Sequence, residues 1–202
     1  AMGEVWAARH ATLDEEVAIK LVVRGVDHED GTSAESRFLL EARVAAALSR
    51  KTRHIVAVTD HGQDGALGYL VMELLEGCDF ATLMQERGQL PIVEAVDFIL
   101  QACEALAEAH AAGIVHRDLK PENLFLTTGA DHRPLVKVLD FGLLKTTAPA
   151  VSGRSQRALT GTMVMGTPAY MSPEQWTSTS AVDARSDIWA LGVVIYELLS
   201  NK

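Results

Sequence analysis

The run His116-Arg117-Asp118-Leu119-Lys120-Pro121-Glu122-Asn123 places a carboxylate and a carboxamide five residues apart, in a proline-containing loop just ahead of an apolar segment. Such a loop can aim Asp118 at a substrate hydroxyl and Asn123 at a metal ion bound to phosphate. Taken alone, Asp and Asn in a loop are more often turn formers than catalysts. Asp140-Phe141-Gly142 follows Asp118 by 22 residues, at the end of the apolar stretch 135–139. A carboxylate at a strand end can ligate Mg2+, a hard ion that takes oxygen ligands and favours sites shared with phosphates. The tripeptide is weak by itself, and its spacing from the loop, with a short hairpin between, makes it specific. The third group is Val17-Ala18-Ile19-Lys20. One lysine on an apolar strand usually faces solvent. Here Glu41 stands 21 residues on, in a helical stretch, where it can pair with Lys20 and hold the ammonium against the α- and β-phosphates of a nucleotide.

Alternating or β-branched apolar residues predict strands over 3–9 and 15–24, and again over 55–61 and 67–73, with a turn at Gly62, Asp64 and Gly65. Between these pairs, residues 33–50 carry a helical pattern with Ser33 as its N-cap. From residue 79 the character turns helical. One long helix is expected over 92–112, between Pro91 and Gly113, and a last one over 183–200. Two short strands, 124–127 and 135–139, interrupt them. The segment 146–168, rich in Ser, Thr, Gly and Pro, is too long for an ordinary connection. The expectation is an α+β fold with a small β-rich lobe at 1–74 and a mostly helical lobe at 75–202.

Hydrophobic residues make up 48% of the 202, enough to bury a core, and 22% are charged, which excludes a disordered chain. The formal net charge of −9 argues against nucleic acid or an anionic membrane as main partner, since both demand basic surface. Cys78 and Cys103 have no metal-like or paired spacing and read as structural thiols of a reducing compartment. The longest apolar stretch, 188–196, is too short to span a bilayer. The expected location is the cytoplasm, with room for a membrane anchor outside these residues.

Taken together, the three groups resemble the signature set of the protein kinases, and the Gly166-Thr167-Pro168-Ala169-Tyr170-Met171-Ser172-Pro173-Glu174-Gln175 phrase resembles bacterial members of the eukaryotic-like serine/threonine kinases. The resemblance covers nearly the whole chain. It implies ATP and Mg2+ (or Mn2+) as cofactors and protein Ser/Thr hydroxyls as acceptors. Asp118 would orient the hydroxyl as base, and Lys120 would steady the γ-phosphate. Asn123 and Asp140 would hold the metal, and Lys20 and Glu41 would form the positioning ion pair. It further implies Met72 as gatekeeper, with Glu73 and Leu75 offering backbone hydrogen bonds to adenine. Val5 and Ala18 would roof the ring, Phe125 would floor it, and Asp79 would reach the ribose. His116 and Phe141 resemble members of a packed apolar column, and Asp187 the acid that fixes the catalytic-loop backbone. Lys120, two places after Asp118, points to Ser/Thr rather than Tyr specificity.

By the same resemblance, 140–174 is an activation loop. Arg117, Arg37 and Lys145 would form a basic pocket for a phosphate carried by Thr160 or Thr162, with Ser152 and Ser155 behind them. Thr167 would hydrogen-bond Asp118 and Lys120. The sequence departs from the family at its start, where only Ala1-Met2-Gly3-Glu4-Val5 remains of a glycine-rich loop, so Gly3 alone would cover phosphates there. Ser172-Pro173-Glu174 replaces the usual Ala-Pro-Glu. The expectation is a domain trimmed at both ends, folding poorly as residues 1–202 alone, with the usual arginine partner of Glu174 beyond residue 202. Two alternatives stay open: a pseudokinase that binds nucleotide or partners without catalysis, and a small-molecule phosphotransferase. Self-association for autophosphorylation is a further expectation. Mass spectrometry of the active protein should find phosphate on Thr160 or Thr162, and the double alanine variant should lose much of its activity. An unmodified 150–165 peptide would refute this.

Overall fold

The computed structural model describes residues 4–23, 34–65, 67–141, 168–177 and 182–202, by backbone alone at 22–23, 34–41 and 177. Four strands, β1 (Glu4–Arg9), β2 (Glu16–Val23), β3 (Val58–Asp64) and β4 (Leu67–Glu73), form one antiparallel sheet in the order β1-β2-β4-β3. Helix α1 (Ala34–Ser49) lies against it, with Ala42 packed beside Leu70 and flanked by Val58 and Met72. A second antiparallel sheet joins β5 (Gly77–Asp79), β6 (Leu124–Thr128) and β7 (Pro134–Val138).

The remaining helices are α2 (Phe80–Arg87), α3 (Ile92–Ala111), the short α4 (Pro173–Thr177) and α5 (Ala184–Ser200). Buried residues of α3 (Ala95, Phe98, Ala102, Ala105, Leu106, Ala109) recur every three or four positions, the stripe of a helix with one face in the core. Most are alanines, so α5 approaches closely and seats Ala190, Leu191, Val194 and Leu198 in the same core. Asp183 caps α5 by accepting from Arg185 N at 2.9 Å, and Asn201, left-handed at φ 54, ends it.

Two sequence expectations need correction. The third strand begins at Val58, not residue 55, because Ile55 and Val56 are buried against β7 instead. Val138 N donates to His54 O at 2.8 Å, and Val56 N donates to Val138 O at 3.3 Å. Gly62 is a strand residue paired with Tyr69, not part of the turn. The Tyr69 ring lies where a Cβ would project, its hydroxyl 2.2 Å from that point, so a larger residue there would have to displace that ring. Gly65, at φ 56, makes the turn.

Strand β5 also depends on a glycine. Gly77 has φ 141, and a Cβ there would meet Leu126 O at 2.0 Å. Gly77→Ala should therefore cost about 1–3 kcal/mol of backbone strain, lowering the calorimetric unfolding midpoint by several degrees. An unchanged midpoint would show that β5 can shift away from β6.

Candidate active site

The loop 116–123 is held from three sides. From α5, Asp187 accepts the N–H groups of His116 on Oδ2 and Arg117 on Oδ1, each at 2.9 Å. His110 Nε2 on α3 stands 2.7 Å from the same Oδ2. From the residue just after β7, Leu139 O accepts from His116 Nε2 at 2.9 Å, and Leu139 N donates to Asn123 O at 2.9 Å. From α4, Gln175 Nε2 donates to Arg117 O at 2.9 Å. These contacts hold Arg117 in the left-handed region, at φ 64.

Within the loop, Asn123 Nδ2 donates to Asp118 O at 2.7 Å. That commits the amide nitrogen and leaves Oδ1, on a buried side chain, as the atom that could ligate a metal ion. Asp140, at φ 52 and half-exposed, follows immediately after Leu139. Lys20 Nζ, from β2 of the other sheet, donates to Asp140 Oδ1. The structure thus brings Asp118, Asn123, Asp140 and Lys20 together, whereas local sequence spacing could only suggest it. The His116 and Phe141 rings meet at 4.9 Å between centroids, beneath this cluster.

Strand register gathers the adenine candidates. Val5 lies opposite Lys20, Lys20 opposite Leu70, and Ala18 opposite Met72, which puts Val5, Ala18, Lys20 and Met72 on one face of the sheet. Phe125 is paired with Asp79 and Lys137 across β5-β6-β7, and Leu75 lies between the two sheets in sequence. Asp79 has a structural task that the sequence did not reveal: its Oδ1 accepts from Thr82 N at 2.7 Å and caps α2. The side chains of Arg37 and Glu41, and all of Gly3, Lys145, Thr160, Thr162 and Thr167, lie outside the described residues.

Sequence reasoning missed several residues. Lys137, buried in the apolar run of β7, pairs with Glu73, whose Oε1 also accepts from Ala57 N at 2.7 Å. A lysine inside an all-buried strand was the available signal, since such a charge needs a partner. Ser172 and Ser186 are buried and bonded to each other at 3.0 Å, and Ser186 Oγ donates to Glu174 Oε1 at 2.7 Å. This hydroxyl holds the Glu174 carboxyl below its ordinary value. Gln175 was seen only as part of a phrase.

A carboxylate and an amide oxygen are the hard donors that Mg2+ takes when phosphates complete its shell. Among the described residues no three His, Cys, Asp or Glu side chains cluster to hold an ion by themselves.

The family described as Protein kinase domain matches residues 1–202. The chain belongs to that family. It is 41% identical over 198 residues to the serine/threonine-protein kinase PknL of Mycobacterium tuberculosis, covering 98% of this chain and 46% of that protein. It is 39% identical over 203 residues to the serine/threonine-protein kinase pkn3 of Myxococcus xanthus, covering 99% and 36%. The kinase-domain chain thus spans less than half the length of these bacterial relatives. In fold it resembles the crystal structure of Rad53 1-466 in complex with AMP-PNP, at a TM-score of 0.76 and 24% identity over 100% of this chain and 46% of that one. The α+β protein kinase fold, an antiparallel sheet with helices, is what the sequence led one to expect. No helix among the described residues is long and apolar enough to cross a membrane.

His116 yields a pH test. Burial drives its imidazole below the ordinary value, against the pull of Leu139 O and nearby carboxylates. With Nε2 donating to Leu139 O, Nδ1 accepts from Asp118 N at 3.3 Å, so the neutral ring satisfies both contacts. A group lowered on folding contributes stability above its unfolded value of about 6.5 and loses it as pH falls toward the folded value. The unfolding midpoint of the wild type, relative to His116→Phe, should therefore fall between about pH 7 and 5. A constant difference would contradict a buried neutral histidine.

Proposed function

We propose that this chain is the catalytic domain of a serine/threonine protein kinase moving the γ-phosphate of ATP to protein hydroxyls, with 1–74 and 75–202 as its lobes. The observation that carries the reading is the meeting of Lys20 from one sheet with Asp140 just beyond the other, near Asn123 and the backbone it shares with Asp118. On this reading Lys20 binds the α- and β-phosphates, and Glu41 is its second partner. Asn123 Oδ1 and Asp140 hold Mg2+ or Mn2+, which supplies positive charge to the phosphates. Glu73 and Leu75 offer backbone groups to adenine, between Val5 and Ala18 above and Phe125 below.

Asp118 and Lys120 share a small pocket with Tyr170, Met171 and Gln175. On this reading an acceptor segment beside them presents its hydroxyl to Asp118. The acceptor oxygen bonds to the γ-phosphorus as the bond from that phosphorus to the β-phosphate oxygen breaks. The hydroxyl proton passes to Asp118, Lys120 faces the transferring group, and ADP leaves. Asp118 and Lys120 have no task in a module that only binds nucleotide, so their presence favours catalysis over the pseudokinase. Phosphate on Thr160 or Thr162 would dock against Arg37, Arg117 and Lys145, and Thr167 would bond Asp118 and Lys120.

In the intact protein, Asp118→Asn should lower transfer from radiolabelled ATP to a generic basic protein by about 100-fold or more while ATP affinity stays within a few-fold. Lys20→Met should cost activity heavily as well, with weaker nucleotide binding. Near wild-type turnover in either variant, or transfer only to small alcohols, would sink the assignment.

A further inference from the structure

We propose that Gln175 is a positioning residue for Asp118, clamping the one peptide group that joins the base to Arg117. The inference rests on the kinase reading above for the role of Asp118. The clamp itself rests on geometry alone.

The peptide N–H of Arg117 is taken by Asp187 Oδ1 at 2.9 Å, and its carbonyl is taken by Gln175 Nε2 at 2.9 Å. Arg117 is therefore gripped at both ends while it holds the left-handed φ of 64, a conformation that costs a non-glycine residue strain. The Arg117 carbonyl belongs to the peptide plane whose N–H is that of Asp118. Fixing that carbonyl fixes the rotation of the plane, and with it the direction in which the Asp118 side chain leaves the backbone. Asp187 alone cannot do this, because its two contacts fall on the preceding peptide planes.

The orientation of the Gln175 amide is forced by its surroundings. Its Oε1 accepts from Ser172 N at 2.9 Å, and the Ser172 hydroxyl lies 3.2 Å away. A flipped amide would set NH2 against the Ser172 N–H and oxygen against the Arg117 carbonyl. Ser172 is in turn fixed by Ser186, a residue of α5 one place before Asp187. Both halves of the grip are thus anchored on the first turn of α5. Gln175 lies just after the segment 140–174, so the end of that segment and the base share one hydrogen-bonded unit. Placement of the segment's end can then change turnover without touching the nucleotide.

The test compares wild type, Gln175→Glu and Gln175→Met in the intact protein. Glutamate keeps the size and the acceptor for Ser172 N but sets a carboxylate oxygen against the Arg117 carbonyl. Methionine keeps the shape and removes both bonds. Each should lower kcat by about tenfold or more, with KM for ATP within twofold and the unfolding midpoint within a few degrees. Hydrogen–deuterium exchange of the 115–120 peptide should speed up in both variants, a readout independent of activity. Unchanged exchange, kcat within twofold of wild type, or a rise in KM for ATP matching the fall in kcat would each overturn the proposal. If the wild type transfers no phosphate while exchange responds as expected, the clamp stands and the kinase reading fails instead.

Discussion

The carboxylate of Asp187, 1% exposed, accepts two consecutive backbone N–H groups of the 116–117 loop and faces His110 besides. An ionised carboxylate in the interior is costly unless donors surround it, and here three donors come from two different segments. Removing any one would leave a buried acceptor short of partners. The loop therefore has one arrangement, and every group that follows in sequence inherits its position. His116 reaches Leu139, Leu139 reaches Asn123, and Asn123 reaches back to Asp118. This circuit returns to its starting loop through half-buried and buried groups.

The packing of α3 against α5 makes that arrangement affordable in space. Alanines at 95, 102, 105 and 109 thin the contact face of α3, so the helices come close enough for His110 to meet Asp187. Bulkier residues would push the helices apart and strand the acid. Apolar packing and the polar circuit are consequently one design, since the same helix faces carry both. Phe98 and Phe80, with ring centroids at 5.8 Å, extend the core toward β5 and the link between the sheets.

Much of this was legible in the residues. Hydrophobic periodicity placed α3 and α5 within a residue or two, because each buries a long, regular stripe. The candidate residues Lys20, Asp118, Asn123 and Asp140 stood out through type and spacing, and the structure brings Lys20 to Asp140 and Asn123 to the Asp118 backbone. What local pattern could not show was pairing across the chain. The three-residue strand β5 owes its existence to β6, not to its own propensity. Ile55 and Val56 look like strand residues, and only the presence of β7 diverts them into the lower core. The task of Gln175 depends on a carbonyl 58 residues away, and no periodicity encodes such a contact. Asp79 carries a second task that its sequence position did not show, the capping of α2.

Strand β7 has one more property. At one point it carries Lys137, tied to Glu73 and through it to Ala57, beside the backbone proposed to meet adenine. Two residues past its end at Val138 lies Asp140, joined to Lys20 where phosphates are proposed to lie. One short strand thus ties both ends of the proposed nucleotide site to a single rigid piece of backbone, so any shift of β7 would move the two ends together and neither alone.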